Sequence, residues 1–341
     1  MTQINYIKEL VKYGLENDQE KFKAALNELI EYAKQTKKTN YALQLQSILK
    51  DAIRNEQNRG PKLVGSPSYF TRIEDRELNE LILEKITSEY KFRNLIAGKE
   101  VREQLEYFIQ EHNSIDLLNN LKLPVSNKIL FYGPSGCGKT LASYVLAGEL
   151  QKMMYVINLG AIVSSKLGET SKNLAKVFRQ AKIENSIIFI DEFDSLGKIR
   201  DYDQDHGEMK RIVNTILQLF DYLHQNSVII AATNQIEMID NALLRRFDIK
   251  IKMELPNKKQ IKELIDLILI NGRFTFDRKN IISTILKAAE GLSYYSIQKS
   301  LIGAIKRSIF ESNNNDNKII KIKTTIWKEL LNLEKEQVKL T

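Results

Sequence analysis

Apolar residues fall into three rhythms along the chain, and the changes of rhythm divide it. From residue 3 to 58 they recur every three or four positions. One stripe is Phe22, Ala25, Leu26, Leu29 and Ile30, placed after the capping residues Asn17 and Asp18; another is Tyr41, Leu45, Ile48, Leu49 and Ala52. This spacing predicts three amphipathic helices that bury their stripes together, hence a small helical bundle over residues 1–58. Such a bundle serves either as a packing module or as an adaptor for a substrate or partner, and the pattern does not separate the two. Residues 59–70 then gather two prolines and two glycines in a chain with 5 and 15 of them, which marks a linker.

A helical segment over about Asp75 to Lys85 is expected next, then a helix with Val101, Leu105, Phe108 and Ile109 on one face. From Lys128 the rhythm switches to short apolar runs separated by helical stretches. The runs are Lys128 to Tyr132, Met154 to Asn158, Ser186 to Ile190, Val228 to Ala231 and Ile249 to Met253. Helices are expected at Leu141 to Leu150, around Leu174 to Ala181, and from about Glu208 to Leu223. Continuous apolar strands alternating with helices predict a parallel sheet covered on both faces, an α/β domain over residues 71–254. Past Pro256 the pattern is mostly helical to residue 310. A polar loop at Asn313 to Asn317 and a short strand-then-helix at Ile319 to Leu331 complete a smaller helical domain over residues 255–341.

Composition narrows the classes. At 341 residues and 43% hydrophobic content the chain can build two or three domains with a sizeable core. Neither a secretory leader nor a run of about 18 apolar residues is visible, so a cytoplasmic protein without a membrane span is expected. The formal charge of +8 is dispersed, with no basic run longer than two residues and none interleaved with aromatics, which argues against a nucleic-acid surface. One cysteine, Cys137, excludes an internal disulfide, and the three histidines have no cysteine at zinc-ligand spacing.

The run Gly133, Pro134, Ser135, Gly136, Cys137, Gly138, Lys139, Thr140 sits between the first apolar strand and the helix that opens at Leu141. It fits G-x-x-x-x-G-K-[ST] at every fixed position. Three glycines let consecutive backbone N–H groups turn inward on a phosphate, and the helix adds its positive end to the same anion. Lys139 then reaches the β- and γ-phosphates, and Thr140 ligates Mg²⁺. Cys137 is filler in a position that any small side chain suits. Further on, the strand ending at Ile190 delivers Asp191 and Glu192 to its edge. A carboxylate pair there suits a site where Asp191 holds Mg²⁺ and Glu192 deprotonates the attacking water. The next strand ends in Thr233 and Asn234, whose amide can touch the γ-phosphate or the water. Arg245 and Arg246 follow, just before Phe247; taken alone they read equally as a solvated helix end.

The ordered set GPSGCGKT, IIFIDE, IIAATN and ALLRRFD, spread over roughly Leu95 to Phe310, resembles the AAA family of ring-forming ATPases. The resemblance implies a P-loop NTPase sheet with a carboxy-terminal helical lid, hydrolysis of ATP with Mg²⁺, and a homo-oligomer, a hexameric ring. It further implies that Asn234 is the sensor on the fourth strand of the series. Arg245 and Arg246 are fingers that complete a neighbouring subunit's site, and Ile96, Ala97 and Gly98 lie beside adenine. The substrate class it implies is protein to be remodelled or unfolded. The arrangement especially resembles small bacterial and phage-borne members, some encoded beside a subtilisin-like serine protease; such a partner would be a separate polypeptide.

Two departures stand out. Gly291, Leu292 and Ser293 match the start of the family's Gly-x-Ser-Gly-Ala-Asp turn in the lid, but Tyr294, Tyr295 and Ser296 replace its last three residues, and no second sensor arginine is evident. Packing of these tyrosines within the lid, or stacking on adenine, are the two readings. Around Ser164 to Thr170, in the place of the pore loop, Lys166 stands where relatives carry an aromatic, with His206 in a second loop from Ile199 to Gly207. Two rival functions remain open at this stage: a nucleic-acid motor or loader, and a regulatory switch that binds ATP without threading a substrate.

Overall fold

The computed structural model of the chain describes residues 6, 19–36, 42, 82–157, 167–195, 206–270, 272–278, 282–311 and 320–340. They fall into two units, one within Met1–Gly60 and Ser68–Thr71, the other within Pro61–Pro67 and Arg72–Thr341. Most of the expected first and third bundle helices lie outside the described residues. So do the linker, the loop residues Ser164 to Lys166 and Ile199 to Asp205, and the polar loop Asn313 to Asn317. In the first unit α1 spans Gln19–Gln35 and buries Ala25, Leu26, Leu29, Ile30 and Ala33, the stripe that its three- and four-residue spacing required. The Tyr32 ring meets Tyr6 at 5.6 Å.

In the second unit the elements run β1 (Ile82–Thr87), α2 (Lys99–Asn113), α3 (Ile115–Asn120), β2 (Lys128–Tyr132), α4 (Lys139–Glu149), β3 (Met153–Ile157), α5 (Leu167–Glu184), β4 (Ile187–Ile190), α6 (His206–Tyr222), β5 (Val228–Thr233), α7 (Asn241–Leu244) and β6 (Ile249–Lys252). The sheet order is β1-β3-β4-β5-β2-β6; all neighbours pair in parallel except β1, which runs antiparallel to β3. Alternation along the strands sorts side chains into two cores. Leu130, Ile188, Ile190, Ile229 and Ala231 pack under α5 and α6, against Leu174, Phe178, Ile216 and Phe220. Ile129, Phe131, Ile187, Phe189, Ile230 and Ala232 pack under α2 and α4, against Leu105, Phe108, Val145 and Leu146. Both faces being apolar explains why these strands read as continuous hydrophobic runs.

The first strand corrects the helix expected over Asp75 to Lys85: from Ile82 onward the segment is β1, while residues 75–81 lie outside the described set. Its buried apolar residues Ile82 and Ile86 are four apart, a helical spacing. A register shift between Ile82 and Glu84 sends them to opposite faces, Ile82 into the core under α5 and Ile86 into that under α2 and α4. Polar bonds fasten this edge. Tyr144 Oη donates to Glu84 at 3.0 Å, Lys85 Nζ to Glu184 at 3.0 Å, and Tyr155 Oη to Glu184 at 2.7 Å.

The helical domain comprises α8 (Lys258–Leu269), β7 (Phe274–Phe276), α9 (Ile282–Ala289), α10 (Tyr294–Glu311), β8 (Ile320–Ile322) and α11 (Thr324–Leu340). The parallel pair β7–β8 places Phe276 flat on Trp327, with centroids 5.4 Å apart at 5°. The buried Trp327 Nε1 donates to Ser300 Oγ at 3.1 Å, so the indole's one polar group is satisfied inside the core. No helix among the described residues is long and apolar enough to cross a membrane.

At the end of α2, His112 is 7% exposed and its Nε2 donates to the Ser126 carbonyl at 2.9 Å; its Nδ1 is buried with no partner among the described residues. Burial first, then the Lys152 charge, lowers its pKa to about 4, the Ser126 bond opposing. The unfolded chain therefore takes up a proton that the folded chain refuses as pH falls from about 6.5 to about 4, and stability is lost across that window at about 1.4 kcal/mol per pH unit. Urea unfolding should show the wild type losing about 2 kcal/mol more than His112→Phe between pH 7 and pH 5. Equal losses in the two proteins would exclude His112 as the source.

Candidate nucleotide site

The phosphate loop grows out of β2 under tight backbone constraint. Gly133 has φ +134°, and a Cβ there would stand 2.2 Å from the Met253 carbonyl oxygen, just past β6, whose N–H donates to Tyr132 O at 2.8 Å. Only glycine lets the chain leave the strand there. Gly138, at φ +90°, is the residue from which α4 starts, and its carbonyl already accepts from Ala142 N at 2.8 Å. The loop's remaining amides and the free N–H groups of the first turn of α4 provide the anion cradle that the motif requires. Cys137 is buried and burial raises its thiol pKa, which suits packing and not reactivity. Pro134 and Ser135 are exposed, while Leu141 packs partly into the core beneath.

Lys139 is 7% exposed, and its Nζ donates to the carbonyls of Gly133 and Pro134, each at 2.8 Å. Burial lowers its pKa, and the nearby Cys137, Asp191 and Asp194 act in the other direction. Across the sheet, Thr140 Oγ1 donates to Asp191 Oδ2 at 2.9 Å, so the end of β4 meets the first turn of α4. A hydroxyl and a carboxylate side by side at a phosphate cradle are hard oxygen donors. That set fits Mg²⁺, which keeps most of its shell for waters and phosphate oxygens.

Beyond Asp191 the chain turns sharply. Glu192 is exposed and left-handed, at φ +50°, with its N–H donating to Asp191 Oδ1 at 2.9 Å. Phe193 N donates to Ala232 O at 2.8 Å, and the buried Asp194 accepts from Thr233 Oγ1 at 2.9 Å. Asn234 follows directly and is exposed. The structure therefore brings the phosphate loop, Asp191, Glu192 and Asn234 to the same edge of three adjacent strands.

Arg245 and Arg246 share no hydrogen bond or ion pair with Lys139, Thr140, Asp191 or Glu192. Arg245 is exposed without an ion-pair partner among the described residues, and Arg246 pairs with Asp221 of α6 at 3.0 Å. Their placement is fixed by the next residue. Phe247 is buried and meets Phe193 and Phe220 edge-on, each at 5.6 Å. The arginine segment is thereby packed on the ring that immediately follows Glu192.

Ile96, Ala97 and Gly98 lie between two of this unit's hydrophobic cores. Ile96 packs on the helical-domain core and Ala97 on the core beneath α2 and α4, while a Cβ at Gly98 would stand 3.9 Å from Gln260 Nε2 of α8. The start of α10 touches the phosphate loop itself: Tyr295 N donates to Gly136 O at 3.2 Å, and a Cβ on Gly136, at φ +72°, would stand 2.6 Å from Ser293 Oγ. Tyr294 packs against the helical-domain core, and burial, then Cys137 and Glu263, pushes its phenol pKa up. Sequence reasoning had no access to the Asp194–Thr233 bond, to Asp221 as partner of Arg246, or to the α10–Gly136 contact. The only advance sign was a second acid two residues after Glu192.

Comparison with known proteins shows the family and the fold. Residues 129–255 match the family described as ATPase family associated with various cellular activities (AAA). An AAA family ATPase of Sinorhizobium fredii is 30% identical over 304 residues, covering 89% of this chain and 88% of that one. A 26S proteasome regulatory subunit homologue of Methanocaldococcus jannaschii is 28% identical over 228 residues, or 66% of this chain and 60% of that protein. The crystal structure of the FIGL-1 AAA domain superposes with a TM-score of 0.62 at 19% identity, over 81% of this chain and 96% of the other, which establishes the shared fold. With a phosphate loop, a carboxylate pair and a polar strand end on one sheet edge, and a relative that matches nearly end to end, the chain is a member of the AAA family of ATPases.

Proposed function

We propose that the chain assembles into a homo-oligomeric ring, hexameric by the family resemblance, and spends ATP to remodel protein substrates. The observation that carries the ring is the exposure of Arg245, adjacent to a segment locked by Phe247 onto the ring that follows Glu192. A guanidinium held at a fixed place, away from its own phosphate loop, suits insertion into a neighbour's site. Protein as substrate is supported by the match to a proteasome regulatory subunit homologue. The pairing with a separate serine protease rests on the resemblance alone, and copurification from cells tests it.

In this reading the loop amides from Gly136 to Thr140 bind the β- and γ-phosphates, and Lys139 leaves its carbonyl partners to neutralise them. Mg²⁺, held by Thr140 and Asp191, supplies charge neutralisation on the phosphates. Glu192, projecting from a left-handed turn, takes the proton of the attacking water, and Asn234 fixes that water or the γ-phosphate. Ile96, Ala97 and Gly98 line the base between the two domains. A trans arginine adds positive charge as negative charge builds on the transferred phosphoryl oxygens, so turnover depends on assembly.

Glu192→Gln should bind ATP with near wild-type affinity and lose about 100-fold or more in turnover, whereas Lys139→Ala should lose binding of a fluorescent ATP analogue. Near-normal turnover in the first variant removes Glu192 from its role, and unchanged binding in the second removes the phosphate-loop assignment. The interface has its own test. Arg245→Ala/Arg246→Ala and Glu192→Gln subunits, each inactive alone, should regain partial activity when mixed, because some interfaces then contain one intact site. Absence of recovery, with subunit exchange demonstrated by energy transfer between labelled chains, places the arginines in their own subunit.

A further inference from the structure

We propose that the buried hydrogen bond between Thr233 and Asp194 is the positioning element for hydrolysis, one hydroxyl holding both the water-activating turn and the sensor asparagine in place. This rests on the roles assigned above to Glu192 and Asn234.

The two side chains are 1% and 3% exposed, the hydroxyl donating to Asp194 Oδ1 at 2.9 Å. The same oxygen accepts from Gln235 N at 3.0 Å, so its donor and one acceptor site are both engaged. A carboxylate is buried at such cost only where hydrogen bonds and nearby positive charge compensate it. Here the Lys139 ammonium lies within electrostatic range, since Asp194 counters the fall in the Lys139 pKa that burial causes.

The backbone beside it needs restraint. Glu192 is a non-glycine residue at φ +50°, a conformation that persists only where its surroundings impose it. Of the bonds that hold the turn, Glu192 N to Asp191 Oδ1 and Ser195 N to Glu192 O are local to it. Two others reach to β5: Phe193 N to Ala232 O, and Asp194 to Thr233. On the β5 side, Asn234 lies between the residue that carries the hydroxyl and the residue whose amide bonds to it. Thr233 thus sets Asn234 from one side and, through Asp194, Glu192 from the other. Neither Thr233 nor Asp194 need touch ATP for this.

The decisive variant is Thr233→Val, which keeps the β-branched shape and removes the hydroxyl. In the full chain, single-turnover hydrolysis should slow by about 10- to 100-fold, the scale of a misplaced catalytic group. The affinity for a fluorescent ATP analogue, measured separately, should change by less than about threefold, since the phosphate loop is untouched. Thr233→Ser should restore the rate. In a Glu192→Gln background, Thr233→Val should slow the residual rate by clearly less than it slows the wild type, because one of the two groups it positions is already gone while Asn234 remains to be displaced. Four results overturn the proposal: an unchanged rate in Thr233→Val, an equal loss of nucleotide affinity, failure of Thr233→Ser to rescue, or a further full-size slowing in the Glu192→Gln background. If Thr233→Val does not fold, Thr233→Ala, which also removes the hydroxyl, takes its place in the same measurements. A normal rate in Glu192→Gln alone, by contrast, removes the assignment of Glu192 and is distinguishable from all four.

Discussion

The parallel pairing of β2, β5 and β4 is the constraint on which the rest depends. Tyr132 lies opposite Thr233, and Ile190 opposite Ala231. Of the residues that follow, Gly133 after β2 and Asn234 after β5 are therefore delivered at one level, with Asp191 after β4 two residues short of it. Because both faces of these strands are packed under helices, polar chemistry has no place along them and appears only where they end. The sheet is in this sense the measuring device of the site: a slip of one residue in β4 would send Asp191 away from Thr140 and turn Ile188 and Phe189 to the wrong cores.

What was legible in the sequence follows from how local its cause is. The phosphate loop, the acid pair and the buried strands were readable because glycine, charge and continuous apolar runs state their backbone needs within a few residues. Two strands were not. In β1 the bulge gave Ile82 and Ile86 a helix-like spacing, and β7 is only three residues long, stabilised by β8 some forty positions away and by the Phe276–Trp327 stack. Contacts between distant segments were equally hidden: nothing near Gly136 in sequence announces Ser293 or Tyr295. Tyr294 and Tyr295, the visible departures from the family pattern, gain a physical reading only from the fold. Tyr294 fills the helical-domain core, and Tyr295 is 48% exposed while its backbone bonds the phosphate loop.

That contact links the helical domain to phosphate binding without a charged sensor. The Gly136 carbonyl is held by the first turn of α10, so the peptide that follows has a defined orientation, and its N–H is Cys137's. Helix starts carry unpaired N–H groups, and here one of them is used on the loop itself. The start of α10 and the shape of the cradle are thereby coupled through a backbone bond of ordinary strength, about 1 kcal/mol net.

Under the proposed function the arginines present the opposite balance, between a bond already made and one to be made. Arg246 is about half exposed in its pair with Asp221, and exposed pairs contribute between nothing and about 1 kcal/mol. Trading such a pair for a desolvated contact with a transferring phosphoryl group costs little and gains a charge-assisted, two-pronged bond. Arg245 has no such pair among the described residues. Both stand immediately before Phe247, whose ring is wedged against Phe193 and Phe220, so whatever displaces the turn after Asp191 presses on the residue that anchors the arginines. In the proposed ring, a change at one subunit's γ-phosphate would therefore be felt first by the aromatic cluster and next by the two guanidinium groups that the proposal assigns to the neighbour's site, over a path of packed rings and one buried hydrogen bond.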